Sequence, residues 1–150
     1  MPIRSFRGKI EDGGIDTITL HTNNGSIGYK ITKFEVMTAN AVGSIEAANL
    51  VAIYKIPQTT ASGTADFSDN TLLAAADYRQ HDNEAYGNSA NTIIFDSEVF
   101  NQDIYVTNKD MQTGAAMNYY IELEIMKLDL NENTVATLKD IRNIESNTYV

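Results

Sequence analysis

Met117-Asn118-Tyr119-Tyr120-Ile121-Glu122-Leu123-Glu124-Ile125-Met126-Lys127-Leu128 is the stretch that decides the fold class. Met117, Tyr119, Ile121, Leu123 and Ile125 alternate with Asn118, Tyr120, Glu122 and Glu124, so an extended backbone presents one dry face and one wet face. A helix would scatter the same apolar residues around its circumference. The stretch therefore predicts a half-buried β-strand, and the rest of the chain has to supply what covers its dry side.

Working outward, Phe6, Gly8 and Ile10 alternate with Ser5, Arg7 and Lys9. Glu11-Asp12-Gly13-Gly14 then offers a tight turn into residues 15–21, where Ile18 and Leu20 face inward, and the pattern predicts a β-hairpin. Asn23-Asn24-Gly25 makes the next turn into a strand over 29–38. There the apolar phase slips from Ile31 to Phe34 and Val36, which implies a bulge near Thr32 and Lys33. Residues 50–56 are apolar in both phases, as suits an interior strand, and Pro57 ends it because proline cannot donate to the ladder. Residues 58–70 hold almost no large apolar side chain and predict a long loop, of the kind that carries function. Residues 72–78 fit a strand or a short helix, and Ala74, Ala75 and Ala76 tilt the expectation towards a helical turn. Segments 92–95 and 104–107 are the remaining strands.

The last part of the chain changes period. Asn131 and Asn133 are good N-caps, Val135, Leu138, Ile141 and Ile144 recur every third residue, and Lys139 and Arg142 sit late, as the helix dipole prefers. A short C-terminal helix over about 133–145 is expected. The whole pattern predicts one all-β domain over residues 1–150, an antiparallel β-sandwich that is jelly-roll-like and closed by that helix.

The composition is poor in catalytic equipment. With no cysteine, disulfides, thiol catalysis and cysteine-type zinc sites are excluded, and His21 and His81 are the only imidazoles. A formal charge of -9 repels phosphate backbones and anionic membranes, so neither nucleic acid nor membrane is an expected partner. The exception is the basic trio Arg4, Arg7 and Lys9, which is either a solvated strand face or a docking site for an acidic surface. The start, Met1-Pro2-Ile3-Arg4-Ser5, lacks the apolar run of a signal peptide, and no window approaches the roughly 20 apolar residues of a membrane span, so a soluble product of the cytoplasm is expected.

Individual motifs point the same way. Asp129 to Asp140 imitates calcium-loop spacing but places Thr134 where the sharp turn needs glycine, and Asp66-Phe67-Ser68-Asp69-Asn70 fails likewise and reads as an Asx-rich turn. His81 beside Asp82 lacks a third ligand, so no metal and no cofactor are expected. Ser44, Ser62 and Ser97 sit in no nucleophile elbow. Glu122 and Glu124 share the wet face of their strand, where solvation explains them better than acid-base work on a sugar; no catalytic residue is assigned. Tyr120, outward and flanked by carboxylates, suits an interface.

Phe6-Arg7-Gly8-Lys9-Ile10-Glu11-Asp12-Gly13, continued by Gly28-Tyr29-Lys30-Ile31-Thr32-Lys33-Phe34, together with Met117 to Glu124 and the closing Lys139-Asp140-Ile141-Arg142, resembles small virion structural proteins of tailed bacteriophages, particularly marine ones. The likeness covers about the first and last quarters of the chain. It implies a non-enzymatic virion component, made in the host cytoplasm, which binds and stabilises the capsid shell as a decoration or cement protein. The implied partners are the major capsid protein, other virion proteins and further copies of the chain. Arg4, Arg7, Lys9 and Tyr120 are then the candidate partner-binding residues. Two alternatives stand beside this expectation: a head-to-tail connector or tail component, and a carbohydrate- or receptor-binding sandwich using loops 58–70 and 81–91 with Tyr78 and Tyr86 as stacking platforms.

Overall fold

A computed structural model describes residues 2–40, 44–80 and 89–129. They form eight strands: β1 (Ile3–Ile10), β2 (Ile15–Ile18), β3 (Ile27–Thr38), β4 (Ala47–Tyr54), β5 (Leu72–Gln80), β6 (Ser89–Phe95), β7 (Ile104–Asp110) and β8 (Met117–Lys127). Three make one sheet in the order β1-β8-β3, five make another in the order β2-β7-β4-β5-β6, and every pairing is antiparallel. The chain is all-β among the described residues. The helix expected over 133–145 lies outside them, as do His81 and Tyr86.

The two sheets bury one core between them. Phe34, Ile121 and Leu123 reach in from the smaller sheet, and Val51, Ile53 and Val106 from the larger. β8 holds the middle of its sheet as its alternation demands, with Tyr119, Ile121 and Leu123 buried and Tyr120 exposed. The bulge in β3 falls where the apolar phase slips, since the register with β8 shifts between Ile31 and Lys33. That extra residue lets Ile31 and Phe34, three apart, both face the core. β4 lies between β7 and β5 and is buried without a break from Asn49 to Lys55, as its two apolar phases foretell.

Two expectations fail. Residues 3–18 do not form a hairpin: β1 pairs β8, whereas β2 pairs β7 in the other sheet. The turn at Glu11 to Gly14 is instead a corner between the layers. Gly13, at φ 78°, donates its N–H to Asn108 O at 2.7 Å, and Asn108 N–H donates to Gly14 O at 3.2 Å, so the turn is stitched to β7. A tight glycine turn is compatible with either outcome, and long β8 gives β1 apolar neighbours that four-residue β2 lacks, in the pairs Phe6–Ile121 and Ile10–Met117.

Residues 72–78 are strand, not helical turn. β5 is hydrogen-bonded on both sides, to β4 and to β6, and Leu72 to Ala76 are all buried. Alanine's preference for helix is a few tenths of a kcal/mol per residue, which a two-sided ladder overrides.

Candidate functional site

The sequence-predicted partner residues fall on the smaller sheet, but not all on one face. Alternation along β1 sends Ser5, Arg7 and Lys9 to the solvent side and Arg4, Phe6, Gly8 and Ile10 to the core side. Arg4 thus lies at the rim of the core face, with its guanidinium 5.0 Å from the Phe6 ring centroid. Arg7 stands directly across from Tyr120 on β8, which in turn stands opposite Glu35 on β3; Lys9, Asn118 and Met37 form the next row. The Lys33 ammonium lies 5.9 Å from the Tyr120 ring centroid. Lys9–Glu11 at 3.5 Å, Lys33–Glu35 at 3.9 Å and Lys30–Glu124 at 3.7 Å complete a polar wall. The structure therefore brings together Arg7, Lys9 and Tyr120 and sets Arg4 apart, a separation already contained in strand parity.

A second surface lies on the outer side of the larger sheet. The chain from Lys55 to Thr71 leaves β4 and returns to β5, closed at its base by the Lys55 N–H on Thr71 O at 2.8 Å. Two Asx turns shape its return, Ser68 N–H on Asp66 Oδ1 at 3.0 Å and Thr71 N–H on Asp69 Oδ1 at 2.9 Å. The hydrogen bonds from Ser68 hold the Asp66 carboxyl below its usual value. At the loop's root, burial pushes the Tyr54 phenol up, with the charges of Asp69 and Asp66 adding to it.

The far side of the loop arches over the sheet until Gly63 touches Met111; a Cβ on Gly63 would stand 2.5 Å from the Met111 sulfur, so a side chain there would displace the exposed end of Met111. Between loop and sheet runs an open groove of about 560 Å³. Leu50, Ala75 and Ile94 are its floor, Phe67 and Met111 its apolar flanks, and the Asp77–Arg79 ion pair, at 3.4 Å, one polar end. Phe67 and Met111 are each 64% exposed and Ile94 51%. Scattered exposed apolar residues are ordinary; these three share one concavity, which makes it the candidate contact surface of the larger sheet.

The Met111 flank is held rigid from below. Asp110, itself buried, accepts backbone N–H groups from Ala115 at 2.6 Å, Ala48 at 2.9 Å, Gln112 at 2.9 Å and Thr113 at 3.3 Å. Burial pushes the Asp110 carboxyl up, but these N–H bonds outweigh it and hold it below the usual carboxylate value. Beneath, Asn49 donates to Asn108 Oδ1 at 2.9 Å and Asn108 donates to Ile10 O at 2.9 Å, which ties both sheets together at this end.

Tyr78, expected as a stacking platform, is buried and donates its hydroxyl to Gln80 Oε1 at 2.7 Å, so it faces away from any ligand. Phe67 is the aromatic the loop exposes. Its signal in sequence was its isolation, the one large apolar residue in a run of Thr, Ser, Ala, Gly and Asp. Ile94 and Met111 gave no such signal, because their exposure depends on which strand ends the sheet and how β7 turns. His21 lies at the opposite end, its Nδ1 2.7 Å from Asp103 Oδ1. Burial pushes Asp103 up, and its hydrogen bonds with His21 and Leu20 bring it net below the usual value. Among the described residues no group of three or more His, Cys, Asp or Glu side chains is placed to hold a metal ion, and no helix is long and apolar enough to cross a membrane.

Fold and surface define the class: a two-sheet antiparallel β-sandwich with an apolar groove on one outer face and a basic edge strand on the other sheet. No protein-family model and no curated protein sequence matches the chain.

Proposed function

We propose that this chain is a non-enzymatic virion structural protein of a tailed bacteriophage, a decoration or cement protein that sits on the outside of the shell, binds the major capsid protein and stiffens it as an oligomer. The observation that carries the reading is the groove with Phe67, Ile94 and Met111 exposed on a two-sheet body. Burying a side chain of this size contributes about 1.5–3 kcal/mol when complete, so three together offset much of the freedom lost on docking. Repetition around a symmetry axis multiplies the gain, because later contacts become intramolecular.

We further read the sandwich as jelly-roll-like. The orders β1-β8-β3 and β2-β7-β4-β5 support this, since the connections β1 to β2, β2 to β3, β3 to β4 and β7 to β8 carry the chain from one layer to the other and the pairs β1–β8, β2–β7 and β4–β5 nest inward from the two ends of the described chain. β6 departs from that scheme by pairing β5 at the edge of the larger sheet. The resemblance carried by residues 6–13, 28–34 and 117–124 supplies the phage setting.

The test is stoichiometry. Virions freed of soluble protein should hold this chain in many copies, with particle density over capsomer junctions that fits the sandwich. A few copies at one vertex would favour the head-to-tail connector instead, and absence from particles would refute both. Phe67 in the groove favours one further reading, a sugar-binding sandwich, which a glycan array tests.

A further inference from the structure

β1 is the outermost strand of its sheet, and its second side carries no strand among the described residues. The polarity of its backbone follows from one bond. Ile125 N–H donates to Pro2 O at 2.9 Å, and these two residues stand opposite each other in the register that sets Ile3 against Glu124. Antiparallel pairs alternate between bonded and non-bonded, so Arg4, Phe6, Gly8 and Ile10 turn their backbone groups to β8. The N–H and C=O groups of Ile3, Ser5, Arg7 and Lys9 then point away from the sheet. An edge of this kind is a template for another strand, and chains ordinarily guard it with a bulge, a proline, charged side chains or a covering segment; β1 has the charges, Arg7 and Lys9, which turn away a like-charged strand and not an acidic one. The register of β1 runs unbroken from Ile3 to Ile10.

Charge selects the occupant. The chain as a whole carries -9, yet residues 2–10 hold Arg4, Arg7 and Lys9 and no acidic residue. A second copy pairing antiparallel through β1 would bring Arg7 and Lys9 of both chains onto one sheet face, where like charges destabilise the pair. An acidic strand meets the reverse situation. Glutamates two apart on it would project to the face that bears Arg7 and Lys9, and the exposed Lys9–Glu11 contact is weak enough to exchange. Tyr120, next to Arg7 across β8, borders the same contact.

We propose that the free edge of β1 receives an extended acidic segment of a partner protein as an added strand, its carboxylates paired with Arg7 and Lys9. The inference rests on the virion reading only for who the partner is; the mode of binding rests on strand geometry.

The probe is a capped peptide, Thr-Val-Glu-Thr-Glu-Val-Thr, added to the full chain labelled for NMR. On binding, the amide protons of Ile3, Ser5, Arg7 and Lys9 should gain protection from exchange, while those of Phe6 and Gly8, already turned to β8, should change little. The glutamine version of the peptide should bind about fivefold more weakly, as expected for two exposed ion pairs. Ser5→Pro removes one outward N–H and leaves the β8 ladder intact, so this variant should stay folded and lose the peptide. If it unfolds, Arg7→Glu with the same peptide gives the same readout through charge.

Four results would overturn the proposal: no binding at about 1 mM peptide, shifts confined to Thr92, Ile94 and Met111, protection of the four odd-numbered amides in the free chain, or self-association through them. Incorporation of the edge variant into virions at the parental copy number separates the two readings, since it refutes the edge as the attachment while leaving a virion role intact.

Discussion

Replacing Glu98 by Gln should destabilise the chain and loosen the groove at the same time. Lys55 is the residue that opens the groove-forming loop, and its side chain is only 1% exposed, with Nζ 3.0 Å from Glu98 Oε1 just beyond β6. At that distance, with an effective dielectric constant near 20, the attraction is about 5–6 kcal/mol, most of it offset by the water that both groups give up. Removing one partner reverses the balance, because the buried ammonium loses the carboxylate 3.0 Å away. The usual cost is about 3–5 kcal/mol, and since the glutamine carbonyl still accepts a hydrogen bond and Glu98 is 18% exposed, about 2–3 kcal/mol is expected here. For a chain of this length that is a fall in Tm of roughly 6–10 °C. Urea unfolding of the parent, E98Q, K55M and the double variant K55M/E98L would measure it as a cycle. The double variant should recover to within about 1 kcal/mol of the parent, as buried pairs replaced by apolar ones often do. An E98Q variant within about 0.5 kcal/mol of the parent would refute the reasoning, for it would mean that the Glu98 charge is not what holds the buried lysine.

Asp110 gives a pH signature. Its carboxyl lies below the usual value in the folded chain, so the fold binds that proton less readily than the unfolded chain does; the stabilisation is complete above about pH 4 and is lost as pH falls through the folded value. D110N should therefore be less stable than the parent at neutral pH, with the gap narrowing in acid, and a gap independent of pH in denaturant titrations would count against this account. Tyr119→Phe removes the hydroxyl that donates to Asp16 Oδ2 at 3.1 Å and should cost about 1 kcal/mol. Gly8→Ala sets a Cβ 2.9 Å from the same ring and should cost about 1–3 kcal/mol; because both act through one side chain, their double variant should be less than additive in thermal unfolding. Phe67→Ala should shift stability by less than about 0.5 kcal/mol, since the ring is already in water, yet lower the copy number in purified particles; unchanged copy number would remove the groove from the proposed interface.

Much of the secondary structure was legible because each residue's own alternation encodes it. The strand of Met117 to Lys127 and the phase slip at Thr32 appear where the pattern places them, and the doubly apolar run is a buried strand that runs from Ala47 and ends at Tyr54, before Pro57 is reached. The alanines of β5 misled because their preference is small, and what makes them strand is the pair of neighbours on either side. The basic trio was half legible: parity in β1 separates Arg4 from Arg7 and Lys9, but only the register shows that Arg7 faces Tyr120.

By itself, then, the sequence determined that the chain is built of amphipathic strands, without thiols and with few imidazoles, and where most of those strands run, because burial period and residue chemistry are properties of neighbouring residues. Which strand lies beside which was decided by tertiary structure. The glycine turn at Gly13 permits a hairpin or a corner alike, and the competition between β8 and β2 for β1 is settled by contacts more than a hundred residues apart in the chain, such as Phe6 with Ile121. The groove has the same origin, for Phe67, Ile94 and Met111 come from three separate segments and meet only because the sheet order carries them there.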